Sequence, residues 1–318
     1  MAKKIVYYAS FQIGFNPRKD ISLKEFELAV KDLTRTVPQV QGIEVRFNGM
    51  INPRSGKIVR GPTVEDILKA SDIITDNYNC ANLHLSEFGL DILQGNNNGR
   101  KINSEDFIRN FRYIIGHSGE HEDFWGKIFS QDYITKNMAR VPFRLKKNYL
   151  EDKLDSDMPV DLRNKFLIEN GYLWHNCLPE AHKLALQTGT GMTLDIGHVI
   201  RAILDKDPKN NNQRHDSISR YITKHNGVKS YNIDYLHYFG NEIEHVHAQG
   251  VRRTEDGRFI DHFPPSDETI KKTQKGIICY ILENANYHSC TIELRKEFNQ
   301  PKNIIKSIDF FDKTFVNT

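Results

Sequence analysis

The chain has 318 residues, 38% hydrophobic and 27% charged, enough to bury one sizeable core and in the usual range of a (β/α)8 barrel. Its 44 Lys and Arg against 41 Asp and Glu leave a formal charge of +3 with both signs interspersed, which excludes a dedicated nucleic-acid arm but admits phosphorylated substrates. Cys80, Cys177, Cys279 and Cys290 show no CxxC spacing, and no stretch approaches the roughly 18 apolar residues of a membrane span; these features exclude a disulfide framework, a cysteine zinc finger and a helical membrane anchor.

Apolar runs alternate with amphipathic segments along the chain. MAKKIVYYASFQ has no small-residue cleavage site and reads as a first strand over 5–12, with a cytoplasmic setting expected. A helix follows from Ser22, where Ser-x-x-Glu25 forms a capping box. GIEVRFNG (42–49) is the second strand, a helix begins near Thr63, and CANLHLSEFG (80–89) is the third strand. SEDFIRN leads into the fourth, FRYIIGHSG (111–119). KFLIENGY (165–172), GMTLDIGH (191–198), EIEHVHAQG (242–250) and SCTIELR (289–295) complete eight. LPEAHKLALQT, DETIKKTQKGIICYILENA and PKNIIKSIDFFDKTF are helical, with His182 and Glu283 expected on solvent faces.

Strand–helix alternation predicts βαβ units, and the lack of GxGxxG after the first strand favours a closed TIM barrel over a Rossmann sheet. The expectation is one domain over 1–318, with long insertions at about 120–164 and 205–233. Basic Arg140, Arg144, Lys146 and Lys147 fall in the first insertion and are expected to be a solvated face.

Barrel active sites lie at the carboxyl ends of the strands, so residues of ligand type should gather there. His84 ends the third strand, His117 the fourth and Glu169 the fifth; Asp195 and His198 end the sixth. His245 and His247 lie on the seventh, Asp261 and His262 in the loop after it, and Glu293 on the eighth. Imidazole and carboxylate suit zinc, manganese or iron. Glu169 and Glu293 are flanked by apolar residues and are costly to bury without a partner, which a cation supplies. His245 and His247 share one strand face; His247 is preferred as the ligand, with Glu244–His245 left as a supporting or surface pair. Gly197 ends the sixth strand so that His198 swings back over the mouth. Asn170 and Arg295, beside strand carboxylates, are candidates for orienting substrate.

NLHLSEFG, IIGHSG, LIEN, LDIGH, HVHAQG, DHFPP and TIELR, in that order over roughly residues 80–295, resemble the superfamily of xylose-isomerase-like TIM barrels that also contains endonuclease IV. The resemblance implies two patterns. In the sugar isomerases and epimerases one divalent ion is held by residues that fall on Glu169, Asp195, His247 and Glu293, the two glutamates also moving a proton beside a carbonyl. In endonuclease IV three zinc ions take further ligands, which fall on His84, His117, His198, Asp261 and His262. The chain departs from the latter: Asp-x-His is here Asp261-His262, HAQG replaces an HxND-type turn, and the first strand lacks a histidine. A partial likeness to multinuclear iron oxidases that modify peptides is carried by HLS and IEN, though LDIGH stands where those enzymes carry DxNN.

The leading expectation is a metal-dependent isomerase or epimerase of carbohydrate metabolism acting on a sugar or sugar phosphate. The alternatives are an endonuclease IV-like zinc phosphodiesterase and an iron-dependent oxidase. A non-enzymatic barrel would lack carboxylates at its strand ends. One to three ions of Mn, Zn, Mg, Co or Fe are expected, nucleic acid is a less favoured partner, no membrane is involved, and a homo-oligomer is left open.

Overall fold

The computed structural model describes residues 5–14, 20–48, 50–51, 58–60, 64–84, 109–117, 164–171, 178, 181–182, 185, 190–204, 222–225, 228–231, 243–255, 259–265 and 287–316. Most of the expected insertion at 120–164, with its four basic candidates, lies outside these residues, as do Cys177, Cys279 and Glu283. In chain order the described strands are β1 (Val6–Gly14), β2 (Val40–Asn48), β3 (Met50–Ile51), β4 (Ile58–Arg60), β5 (Cys80–His84), β6 (Tyr113–His117) and β7 (Phe166–Glu169). They continue as β8 (Gly191–Asp195), β9 (Ile222–His225), β10 (Val228–Tyr231), β11 (Ile243–Ala248), β12 (Gly250–Arg253), β13 (Phe259–Phe263) and β14 (Ser289–Ile292). The helices are α1 (Leu23–Thr36), α2 (Val64–Thr75), α3 (Ile196–Leu204) and α4 (Pro301–Val316).

Eight parallel strands close in the order β1–β14–β11–β8–β7–β6–β5–β2. With helices following barrel strands, this is the TIM barrel that the alternation predicts. The remaining strands form three antiparallel pairs, β3–β4, β9–β10 and β12–β13. The polar stretch expected as a loop over 205–233 therefore contains a hairpin, Val228–Tyr231 paired on Ile222–His225.

Two-residue alternation sorts the side chains. Outward residues Ala9, Phe11, Ile43, Val45, Leu83, Ile168, Leu194, Val246 and Ile292 join one apolar cluster with the helices. Phe26, Val30 and Leu33 of α1, spaced by four and three residues, enter it from the other side. Burying each such side chain is worth about 1.5–3 kcal/mol. Ser22 caps α1 as predicted: its Oγ accepts from Glu25 N at 3.2 Å, and the Glu25 carboxylate accepts from Ser22 N at 2.6 Å. His182 is buried, contrary to the expected solvent face.

The inward face carries a polar layer beside an apolar cluster of Tyr113, Ile115 and Leu167. Glu44, Asn82, Thr193, His245, Ser289 and Thr291 are all fully buried. Gly42 makes room for this layer, since a Cβ there would collide with the Tyr8 ring and lie 2.9 Å from the Cys80 carbonyl. Among the described residues no helix is long and apolar enough to cross a membrane.

Candidate metal centre

Because the barrel strands are parallel, their carboxyl ends share one mouth, and the alternation that packs Ile168, Leu194, Val246 and Ile292 outward turns Glu169, Asp195, His247 and Glu293 inward. One ligand atom from each of these four lies within 4.8 Å of the others. His247 Nδ1 is 2.9 Å from Glu169 Oε1 and 3.3 Å from Glu293 Oε2. Glu293 is the residue just past β14, and its backbone N–H donates to the Ala248 carbonyl at 3.2 Å. His84, at the end of β5, places Nε2 2.8 Å from Glu169 Oε2, and its ring stacks on His247 with centroids 5.5 Å apart. It also belongs to a donor set with His247 and Glu293. His117 ends β6 in register with Glu169; its side chain lies outside the described residues.

A second donor set, His198, Asp261 and His262, adjoins the first. Its members sit on elements other than those expected. The β-strand stops at Asp195, and His198 is the third residue of α3, where its N–H donates to Asp195 Oδ1 at 2.7 Å. The carboxylate thus receives an orphan amide of the helix start while its other oxygen stays in the cluster. Gly197 is needed for close approach and not for leaving the strand: a Cβ there would lie 2.6 Å from Gln249 Cγ and Cδ. Asp261 and His262 belong to β13, a strand and not the expected loop, and β13 pairs with β12 to fold back over the mouth. His262 adopts a φ of 64°, a left-handed conformation uncommon outside glycine and asparagine. His198 Nε2 is 3.6 Å from Asp261 Oδ2, and His262 Nε2 is 3.7 Å from Asp261 Oδ1.

Carboxylates join the two sets. Glu293 Oε1 is 3.6 Å from His262 Nδ1 while Oε2 approaches His247, and Asp195 Oδ2 is 3.4 Å from His198 Nδ1. Gln249 spans the same boundary, donating to Asp195 Oδ2 and accepting from His262 N at 2.7 Å.

The sequence reading passed over Glu44. It lies on β2, fully buried, 3.1–3.2 Å from His247 Nε2 and 3.3 Å from His245 Nε2, and it accepts from the Thr291 hydroxyl at 2.7 Å. The signal was available, because Glu44 stands between Ile43 and Val45 as Glu169 stands beside Ile168. His245 is no surface residue: it is fully buried, its Nδ1 2.6 Å from Ser289 Oγ and its Nε2 2.8 Å from Thr291 Oγ1. Asn170 is committed to the backbone of Asp195, accepting from its N–H at 2.8 Å and donating to its carbonyl at 3.1 Å. Arg295 Nε donates to the Asp261 carbonyl at 3.2 Å, and its guanidinium lies over Phe263. Both amide atoms of Asn170 are thus spent on Asp195 and not on substrate, while Arg295 is anchored beside Asp261 and Phe263. Arg201 Nη1 donates to Asp261 Oδ2 at 3.1 Å.

Glu44, Glu169, Asp195 and Glu293 are each at most 3% exposed, so the mouth crowds four carboxyl groups out of water. Burial, with Glu169 and Glu293 alongside, pushes Asp195 well above the ordinary carboxylate range despite His198. Burial alone would depress His247, but Glu44 and Glu169 outweigh it and raise the imidazole well above its usual value. His198 is likewise raised, to about 9, by Asp195, Asp261 and Glu169 against the effect of burial. Glu44 is held well below the usual range, because His247 and His245 overcome its burial. Asp261 falls to about 2, burial being outweighed by His262, His198 and Arg201.

These residues fit a divalent cation. The donors are imidazole nitrogen and carboxylate oxygen, the set that suits zinc, manganese, iron and magnesium. Among the described residues Glu293 Oε2 is buried with no hydrogen-bond donor, His247 Nδ1 lying 3.3 Å away only as an ion pair, and a cation relieves that costly state. His247 presents Nδ1 to the four-residue cluster and turns Nε2 to Glu44, the arrangement by which a carboxylate orients a ligating histidine.

No protein-family model matches the chain, and no curated protein does either. Among solved structures, endonuclease IV from Thermus thermophilus is 13% identical, with 97% of this chain and 99% of that one covered and a TM-score of 0.43. An IolI protein with a bound zinc atom is 12% identical over 97% and 98% of the two chains, with a TM-score of 0.49. A xylose isomerase-like TIM barrel protein from Mycobacterium smegmatis in complex with magnesium is 9% identical over 99% and 97%, with a TM-score of 0.46.

Proposed function

We propose that the chain is a divalent-metal-dependent enzyme whose barrel mouth holds more than one ion and hydrolyses a phosphate ester. The observation that carries this reading is the pairing of two donor sets, Glu169–Asp195–His247–Glu293 and His198–Asp261–His262, joined through Glu293 and Asp195. A single-ion isomerase needs only the first set, so the second calls for a function of its own. Divalent ions bound at such a centre supply Lewis acidity toward phosphoryl oxygens and activate water.

The chain's own residues prepare that chemistry. Glu169 and Glu293 crowd their negative charge around His247, while Glu44 fixes the ring from behind. His84 holds the outer oxygen of Glu169. β12 and β13 cover one side of the mouth and carry Asp261 and His262 to it. Arg201 steadies Asp261 from α3.

A second reading has its own support. Glu169 and Glu293 both approach Nδ1 of His247, as a proton-moving pair in a sugar isomerase or epimerase would flank its ion. The two readings separate in one assay series. Protein loaded with zinc, manganese or magnesium is offered bis(p-nitrophenyl) phosphate and, separately, aldose and ketose phosphates. Hydrolysis that is lost on chelation and in Asp261→Ala supports the first. Aldose–ketose interconversion that survives Asp261→Ala would replace it with the second.

A further inference from the structure

Three basic side chains at this end of the barrel are already engaged: Arg201 with the Asp261 carboxylate, Arg295 with the Asp261 carbonyl and Lys296 with the Asp20 carbonyl at 2.6 Å. Arg46 differs. Among the described residues it makes no ion pair or side-chain hydrogen bond, and its Nε is buried with no partner. An unmade donor of this kind costs its desolvation, and a guanidinium carries five donors and a permanent charge.

Its place on the strand is informative. Arg46 follows Glu44 by two residues on β2, so it stands on the same inward face about 7 Å nearer the mouth. Its Cα is in register with His84 on one side and Gln12 on the other. Glu44 and the carboxylates of the two donor sets lie buried at this mouth, yet among the described residues none takes the guanidinium. Glu44 is occupied by His247, His245 and Thr291, and Glu169 by His84 and His247. A charged fork left unmatched above a cluster that is itself acidic is suited to an anion arriving from solution.

We propose that Arg46 binds a phosphoryl group of the substrate at the rim of the centre, beside His84. The planar fork offers two parallel N–H donors to phosphate oxygens and so fixes orientation as well as charge. The assignment rests on the reading of the mouth as a centre that acts on phosphate esters, and it adds a residue that this reading does not otherwise use.

The test is calorimetric titration of inorganic phosphate into the full chain, wild type and Arg46→Ala, each metal-loaded and chelator-treated. Acetate serves as a carboxylate control, and metal content is measured on the same samples. The expected result is a loss of phosphate affinity of about tenfold or more in Arg46→Ala in both forms, with metal content unchanged. Arg46→Lys should recover part of it, having the charge without the fork. Arg46→Gln replaces the alanine variant if that one does not fold. Unaltered phosphate binding in a variant that keeps its metal overturns the assignment, as does an equal loss for acetate or a wild type that binds no phosphate. If the wild type holds no metal yet loses phosphate affinity on substitution, the metal reading falls and the role of Arg46 stands.

Discussion

At the scale of single residues, the account turns on how buried carboxylates are matched. Glu44 does not face the four-residue cluster but holds the far nitrogen of His247, and loss of such a partner lowers metal affinity by roughly 10–100-fold. Glu44→Gln should therefore fold and bind metal more weakly by that factor, measured by competition with a chromogenic chelator; unchanged affinity would remove Glu44 from the centre. Burial and neighbouring carboxylates raise Asp195, and at His247 burial is outweighed by carboxylates that raise it, so each holds a proton more tightly than the free group and an incoming cation competes with it. Binding should release protons and weaken as pH falls, which calorimetry in buffers of differing ionisation enthalpy checks. Residues of this kind were partly legible in the sequence. Glu169, Asp195, His247 and Glu293 stand out as polar residues closing apolar runs, and the structure brings all four together. Glu44 has the same signature but sits mid-strand, and a rule that looks only at strand ends passes over it.

At the scale of elements, the strand alternation was easy to read and the boundaries were harder. LDIGH looks like continuous strand because Leu194 and Ile196 are both apolar, yet the backbone turns helical directly after Asp195. The hydrogen bond from His198 N to the Asp195 side chain marks the switch, a local helix-start contact three residues apart that a strand-centred reading of LDIGH passes over. The β12–β13 pair was missed for a similar reason: its Arg-rich first strand lacks the apolar alternation of a buried one. Gly197 shows how far an element boundary reaches into the centre. Gly197→Ala would drive a methyl group into Gln249, which links Asp195 to His262. The expected outcome is weaker occupancy of the His198–Asp261–His262 set with the first set retained, read as metal bound per chain. At the start of α1, outside both donor sets, Ser22→Ala should cost about 1 kcal/mol in denaturant unfolding and leave metal binding unchanged.

At the scale of the whole molecule, the barrel brings residues 44, 84, 169, 195, 247 and 293 to one end of a closed sheet, so its mouth concentrates negative charge that the apolar shell cannot offset. Filling the centre should stabilise the folded chain by mass action, about 2.7 kcal/mol when free metal exceeds its dissociation constant a hundredfold. The midpoint of thermal unfolding should accordingly fall on chelation and return on reloading. The most direct test is the metal content of the full chain, purified without chelators and dialysed against zinc, manganese or magnesium, with Glu169→Ala and Asp261→Ala beside it. The account predicts two or more ions per wild-type chain, one fewer in Asp261→Ala, and loss of the first set in Glu169→Ala. A wild-type chain that retains at most one ion under all of these conditions would contradict it.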